Sequence, residues 1–297
     1  MKYQTLFVII LAVLISASCG ISGKVALGPE SRNFYETARL VMTKEEKDIF
    51  HHLPDRESRQ EFIRDFWAKR DPDPDTEENE FKEEFFRRIE YANLRFREGI
   101  PGWKTDRGRI YIYLGPPDKI DQRPFINNPA VKGLIWWGYY NYKLGIEFID
   151  TRGDGNYVIN QHQGSYGNLL YVIEKAKFGQ IFIQSGSKFV DFNVRFDREE
   201  KEIAVSIPVS FLSFREEDGL LKAEFEFKFF IYEKGGLKED RFTQIRSFEM
   251  PEDEVLNLED VVFNFSYDLK PGKYYFDVLI IGTEGMGKAR KIFEIKL

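Results

Sequence analysis

The spacing of apolar residues changes near residue 100, and that change limits what the chain can fold into. Before it they recur at helical intervals. Phe81, Phe85, Ile89, Ala92 and Phe96 stand 4, 4, 3 and 4 residues apart, the stripe of an amphipathic helix over about 76–98 that must bury against another layer. From Arg107 the interval becomes two, with Ile110, Ile112 and Leu114 alternating against Arg109, Tyr111 and Tyr113. That alternation predicts a strand. Helices followed by strands make an α+β domain, with helices packed on an antiparallel sheet.

Local signals place the other elements. Thr43 and Glu46 form a capping box ahead of Ile49, Phe50 and Leu53, and Pro54 closes that helix. A second helix over about 55–70 carries Phe62, Ile63, Phe66 and Trp67 and stops at the sequence DPDPD, where each proline disfavours helix in the residue before it. Strands are expected at about 134–140, 144–150 and 157–161, with turns at 141–143 and 153–156. A short helix near 169–176 interrupts a bridge. Beyond it, alternating segments at about 189–196, 202–209, 222–232, 243–250, 261–267, 273–282 and 289–296 indicate an all-β immunoglobulin-like sandwich. The inter-sheet cysteines of that class are absent, because the 297 residues contain 1 Cys.

That cysteine directs attention to the amino end. Lys2 precedes an apolar run from Leu6 to Ile15, then Ser16, Ala17, Ser18 and Cys19. The run is about half the length of a membrane-spanning helix and has the layout of a secretory signal peptide. It resembles a bacterial lipoprotein signal, with Ser16 where leucine is usual, and the resemblance implies cleavage before Cys19 and acylation of its thiol. Three acyl chains would anchor the protein permanently, each buried methylene contributing about 0.8 kcal/mol. Gly20 to Glu30 reads as a tether reaching about 35 to 40 Å when extended. The resulting organisation is a signal peptide over 1–18, the lipidated cysteine and tether over 19–30, an α+β domain over 31–161, a linker with a short helix over 162–186, and a sandwich over 187–297. Gly20, rather than the aspartate that retains lipoproteins in the inner membrane, favours the outer membrane, facing the periplasm. A net charge of -6 argues against a nucleic-acid partner.

The stretch GWKTDRGRIYIYLGPPDKI, Gly102 to Ile120, concentrates unusual residues. Together with FWAKRDPDPDTEENEF, FFRRIEYANLRF, the WW and FID strands and the GDGNY turn, it resembles the GWxTD-domain family of bacterial exported proteins over about a third of the chain. Leu114 stands where an aromatic is common. The resemblance implies exported or lipid-anchored proteins, often with a β-sandwich behind the named domain. It supplies no catalytic residues to carry over.

Each motif residue has a structural use. Gly99 and Gly102 permit positive φ at a chain reversal. Trp103 suits a lid over the core with its N–H on a carbonyl. Thr105 and Asp106 can accept backbone N–H groups and tie the turn, and Gly115, Pro116, Pro117 and Asp118 compose another turn. The functional alternative makes Trp103 a stacking surface, Asp106 with Arg107 or Arg109 the polar end of a pocket, and Tyr111 and Tyr113 an outward face, suited to glycan or peptide carrying an acidic group. On the preceding helix, Glu84, Arg88, Tyr91 and Arg95 either meet a sugar or anionic head group, or form a solvated face with a Glu84–Arg88 pair contributing about 0.2–0.5 kcal/mol.

Other constellations are weaker. Asp71, Asp73 and Asp75 imitate calcium-loop spacing, but Thr76 and Lys82 stand where glycine and glutamate are needed. Capping of the third helix suits them better. Asp150, Asp154 and Asn156 could also hold calcium, but a hairpin turn suits them better. His51 and His52 are adjacent and His162 remote, a poor zinc arrangement. Neither a cofactor nor a metal is expected. The sequence thus reads as a membrane-anchored, non-catalytic binding or assembly module of the cell envelope, its partners the bilayer, an envelope protein and a glycan. The alternatives are an envelope hydrolase acting on glycan or peptide, with Asp106 or Glu84 as its acid, and a small-ligand carrier.

Overall fold

The computed structural model describes residues 26–73, 76–123, 130–178, 191–235, 239–282 and 287–297. The protein is α+β, with amino-terminal helices followed by antiparallel sheets. Helix α1, Pro29–Ala38, starts with proline in its first turn. Helix α2, Lys44–His52, begins at the expected capping box, with Glu46 N–H donating to Thr43 Oγ1 and Thr43 N–H donating to the Glu46 carboxylate. Asp55 caps α3, Arg56–Ala68. The third long helix, α4, spans Glu80–Arg95, and its cap is Asn79. The expected caps Asp71 and Asp73 lie in the turn before it, where Asp71 Oδ1 accepts the N–H of Asp73 at 3.2 Å, and Asp75 falls outside the described residues.

The largest departure from the sequence expectation follows. Residues 107–114 form no strand, because Asp106–Leu114 is helix α5. Thr105 caps it by accepting the Gly108 N–H at 3.0 Å, and Gly115 ends it at φ 77°. Ile110, Ile112, Tyr113 and Leu114 are all buried, so the helix is apolar around most of its circumference. Such a short run fits either period, and the caps decide.

Sheet one is a meander of β1 Lys119–Arg123, β2 Gly133–Tyr139, β3 Leu144–Asp150 and β4 Val158–Ile159, paired in that order. Helix α6, Tyr166–Lys177, leads away from it. The sandwich that follows has β5 Asn193–Asp197, β6 Glu202–Pro208 and β10 Asp260–Ser266 in one sheet, in the order β10-β6-β5. Its second sheet runs β12-β11-β8, with β9 on the other edge of β8 and short β7 beside it. Their spans are β7 Arg215–Glu217, β8 Leu220–Glu233, β9 Glu239–Pro251, β11 Lys273–Gly282 and β12 Gly287–Lys296, and the one-turn helix α7, Glu252–Val255, lies between β9 and β10. With β7 set aside, strands one, two and five face strands three, four, six and seven, the immunoglobulin arrangement. The Tyr274 hydroxyl, at the start of β11, donates to Lys270 O at 3.1 Å, forming the tyrosine corner of that class. Two residues on, Phe276 is fully buried where the class places a cysteine. Aromatic packing replaces the disulfide, with the Phe227 ring 5.0 Å from Phe263 and 4.9 Å from Phe265.

The two halves share a core. Phe230 and Tyr232 of β8 and Tyr275 of β11 belong to the helical cluster, while Phe229, Ile231 and Phe276 face the sandwich interior. The middle of this sheet is therefore buried on both faces, which explains the apolar runs FFIY and, interrupted at Asp277, YYFDVLI.

Candidate functional site

The motif residues form a tight crossing between α4 and α5. Gly102 opens a 3₁₀ turn over Gly102–Lys104, and a Cβ there would stand 1.8 Å from Ala92 O on α4. A Cβ on Gly108 would stand 1.9 Å from Gly102 O. Of the two expected reversal glycines, Gly99 has positive φ and Gly102 does not. Gly102 is needed for close approach instead. The buried Thr105 donates its hydroxyl to Gly102 O at 2.8 Å while capping α5.

The charged motif residues clamp neighbouring elements. Asp106 Oδ2 accepts the Ile159 N–H at 2.9 Å, tying α5 to β4, and Oδ1 pairs with Arg109. Arg107 Nε donates to Glu98 Oε1 at 2.6 Å, and Glu98 Oε2 accepts the Tyr157 N–H at 3.1 Å. Burial pushes the Glu98 carboxyl above its ordinary range despite Arg107. Arg88 is buried rather than solvated. It pairs with Glu84 at 2.6 Å and donates to Ile112 O and Tyr113 O at 3.1 and 3.3 Å, near the end of α5. A Cβ on Gly115 would meet that guanidinium at 2.9 Å. Neither tyrosine forms an outward strand face. Tyr111 stacks on Tyr91 with centroids 4.4 Å apart, and the buried Tyr113 donates to Leu40 O at 3.0 Å, its pKa pushed up to about 12 by burial. Pro116 and Pro117 follow the helix stop, and Asp118 accepts the Tyr140 N–H at 2.7 Å, joining the turn to the β2–β3 connection.

The family comparison agrees with this motif. Residues 29–140 match the GWxTD domain family. The chain carries a GWxTD domain. Among solved structures it is similar to a hypothetical protein from Pyrococcus horikoshii OT3, at 19% identity over 38% of this chain and 96% of that one, with a TM-score of 0.23. No curated protein matches the chain.

Two features of the GWxTD domain were hidden from sequence reading. The first is a buried ionic joint with the sandwich. Lys69 and Arg70, at the end of α3, and Glu46 of α2 meet Asp277 of β11 and Arg290 of β12, every side chain at most 4% exposed. Lys69 Nζ reaches Asp277 at 2.8 Å. Arg290 holds Asp277 through Nε at 2.7 Å and Glu46 through Nη2 at 2.8 Å. Arg70 forks onto both Glu46 oxygens at 2.9 and 2.7 Å and donates from Nη2 to Val41 O at 2.9 Å. Burial alone would raise the Glu46 pKa, but Arg70 and Arg290 hold it down to about 2. The signal was present in sequence as a charge inside the apolar run YYFDVLI.

The second feature is a groove beside Trp103. The indole is half-buried and separates two cavities of about 410 and 570 Å³. Among the described residues its N–H has no carbonyl partner, contrary to the lid expectation, and Arg39 and Lys104 stand 5.9 and 5.0 Å from its ring centroid. The remaining weak candidates are structural. Asp150 accepts the N–H groups of Arg152, Gly153 and Gly155 at 2.9, 2.7 and 2.8 Å and closes the β3–β4 turn. Against burial, those donors hold its pKa below the ordinary range.

Proposed function

We propose that the chain is an exported bacterial lipoprotein, held by acyl chains on Cys19 at the outer membrane and facing the periplasm. Its GWxTD domain and sandwich act together there as a non-catalytic binding and assembly body. The observation that carries this reading is the joint of Glu46, Arg70, Lys69, Asp277 and Arg290, with the shared aromatic core around it. Buried charges of this kind tolerate few alternative arrangements, so they fix one module against the other. An assembly body that presents surfaces from both modules needs that property.

The acids nearest the motif support binding over hydrolysis. Glu84 is held by Arg87 and Arg88, Glu98 by Arg107 and a backbone N–H, and Asp106 by Arg109 and a backbone N–H. A general acid or base needs a free oxygen facing substrate. The anchor rests on the sequence from Lys2 to Cys19, which lies outside the described residues.

Two measurements test the reading. Mass spectrometry of the protein from native membranes is expected to find Cys19 at the amino terminus carrying acyl chains, and Cys19→Ser should release the chain into the soluble periplasmic fraction. Crosslinking in intact envelopes should capture a specific protein partner. An unmodified thiol in membrane-bound protein would refute the anchor, and glycan or peptide hydrolysis that disappears with Asp106→Asn or Glu84→Gln would refute the non-catalytic role.

A further inference from the structure

The smaller cavity beside Trp103 has an unusual charge balance. Arg39, Lys47, Lys104 and Arg109 line it together with Trp103 and Tyr113, and no carboxylate among the described residues does. Arg109 is answered by Asp106. Arg39, Lys47 and Lys104 form no ion pair with any described residue, whereas Arg56, Arg87, Lys201 and Lys234 each meet a carboxylate. The nearest acid on α6, Glu174, is taken by Lys177. Lys47 is half-buried, and burial with the cations Lys177 and Arg39 depresses its pKa, outweighing the opposite pull of Glu174 and Glu46.

These cations come from separate elements that converge on one spot. Arg39 follows α1, Lys47 lies on α2, and Lys104 ends the 3₁₀ turn of the motif. The backbone around them is firm. Tyr113 is anchored to Leu40 O, Thr105 caps α5, and the two-way capping box fixes the start of α2. A cavity of about 410 Å³ is within the size range of small-molecule sites, about 300–1,000 Å³. Like charges assembled on a fixed frame repel one another until an anion neutralises them.

We propose that this groove is a binding site for a multiply charged oxyanion of the phosphomonoester class, held by Arg39, Lys47 and Lys104 beside the Trp103 indole. The guanidinium of Arg39 supplies a two-pronged donor, and the two ammonium groups supply point charges. The ligand is either a soluble phosphate compound or the head group of an acidic lipid. The inference rests on the chain being a binding module, but it is independent of the anchor, because the groove is formed by residues 35–113 alone.

The test uses the full-length chain in neutral detergent micelles. Calorimetry with glucose 1-phosphate probes the soluble source. The same micelles doped with phosphatidate, compared with phosphatidylcholine, probe the lipid source through the part of the tryptophan quenching that Trp103→Phe removes. One-to-one saturable binding in either arm is expected, weakened at least tenfold by Arg39→Gln or Lys47→Gln and unchanged by the exposed control Arg64→Gln. Saturation in the first arm assigns a soluble ligand, and saturation in the second alone assigns a lipid. No saturation in either arm overturns the proposal, as does binding that the groove variants and the control weaken equally. Lys104→Gln guards against misfolding, since its exposed side chain makes no hydrogen bond with any described residue. Failure here with an acylated Cys19 would leave the anchor standing, and success with an unmodified Cys19 would remove the anchor alone.

Discussion

The ionic joint and the Trp103 groove are built from the same residue types and behave in opposite ways. In the joint, three cations and two carboxylates are buried and bonded to one another. In the groove, Arg109 is paired with Asp106, but Arg39, Lys47 and Lys104 are partly exposed and form no ion pair with any described residue. Burial without partners would cost several kcal/mol per ion, so the joint had to be completed inside the fold. The groove had no such requirement, because water screens it. Buried charges that answer one another, as in the joint, where only Arg290 Nη1 lacks a hydrogen-bond partner among the described residues, mark residues that hold the molecule together, and missing pairs at a fixed, solvated place mark residues left for something outside it.

The comparison breaks first if the joint proves dispensable. Glu46→Ala leaves Arg70 and Arg290 facing each other in the interior, and a loss of about 3–5 kcal/mol is expected. Urea denaturation should show one cooperative transition for the wild type and two for the variant, as the sandwich uncouples from the helices. Adding Arg70→Met should recover part of the loss, with a coupling of about 1–3 kcal/mol. A variant as stable as the wild type would show that the shared aromatic core suffices.

Acid provides the next largest effect. The folded pKa of Glu46 is about 2 against an ordinary 4.5, and a depressed carboxylate stabilises the fold above its unfolded pKa. That contribution, about 3 kcal/mol, is present at neutral pH and disappears as pH falls from about 4.5 through 2. Asp277, where burial is outweighed by Arg290 and Lys69, acts in the same direction. Thermal unfolding at pH 6, 4 and 3 should follow this loss, and Glu46→Gln should flatten it.

Gly102→Ala tests the motif as architecture. Its Cβ would strike the backbone carbonyl of Ala92, and overpacking of this kind costs about 1–3 kcal/mol. A lower melting temperature with unchanged anion binding would keep the motif's packing distinct from its groove.

How much of this was readable in sequence depended on where each signal lay. The sandwich strands were legible because one face of each alternates, as in β6, where Ile203, Val205 and Ile207 are buried. The capping box of α2 was legible because both partners lie three residues apart. Helix α5 was misread because Ile110, Ile112 and Leu114 satisfy a period of two while burial surrounds the helix, leaving Thr105 and Gly115 as the only local clues. The candidate set Glu84, Arg88, Asp106 and Arg107 was found as residues but not as clamps, since Ile159 and Tyr157 lie far along the chain. The groove was least legible of all. Spacing cannot reveal that Arg39, Lys47 and Lys104 converge, nor that no carboxylate among the described residues lines the cavity they share.

The smallest expected effect is the most discriminating. Removing the groove cations one at a time should change stability by less than about 0.5 kcal/mol, as for surface substitutions generally. Lys47→Gln should even raise the melting temperature slightly at low salt, because burial and the cations Lys177 and Arg39 depress the Lys47 pKa more than Glu174 and Glu46 raise it. Added salt should raise the wild-type melting temperature towards that of the variant, since screening weakens repulsion between exposed charges. In the joint the same operation has the opposite sign, because each cation there neutralises a buried carboxylate. A groove variant that is destabilised by several kcal/mol would mean that these cations serve the fold after all, and the distinction between the two regions would fail.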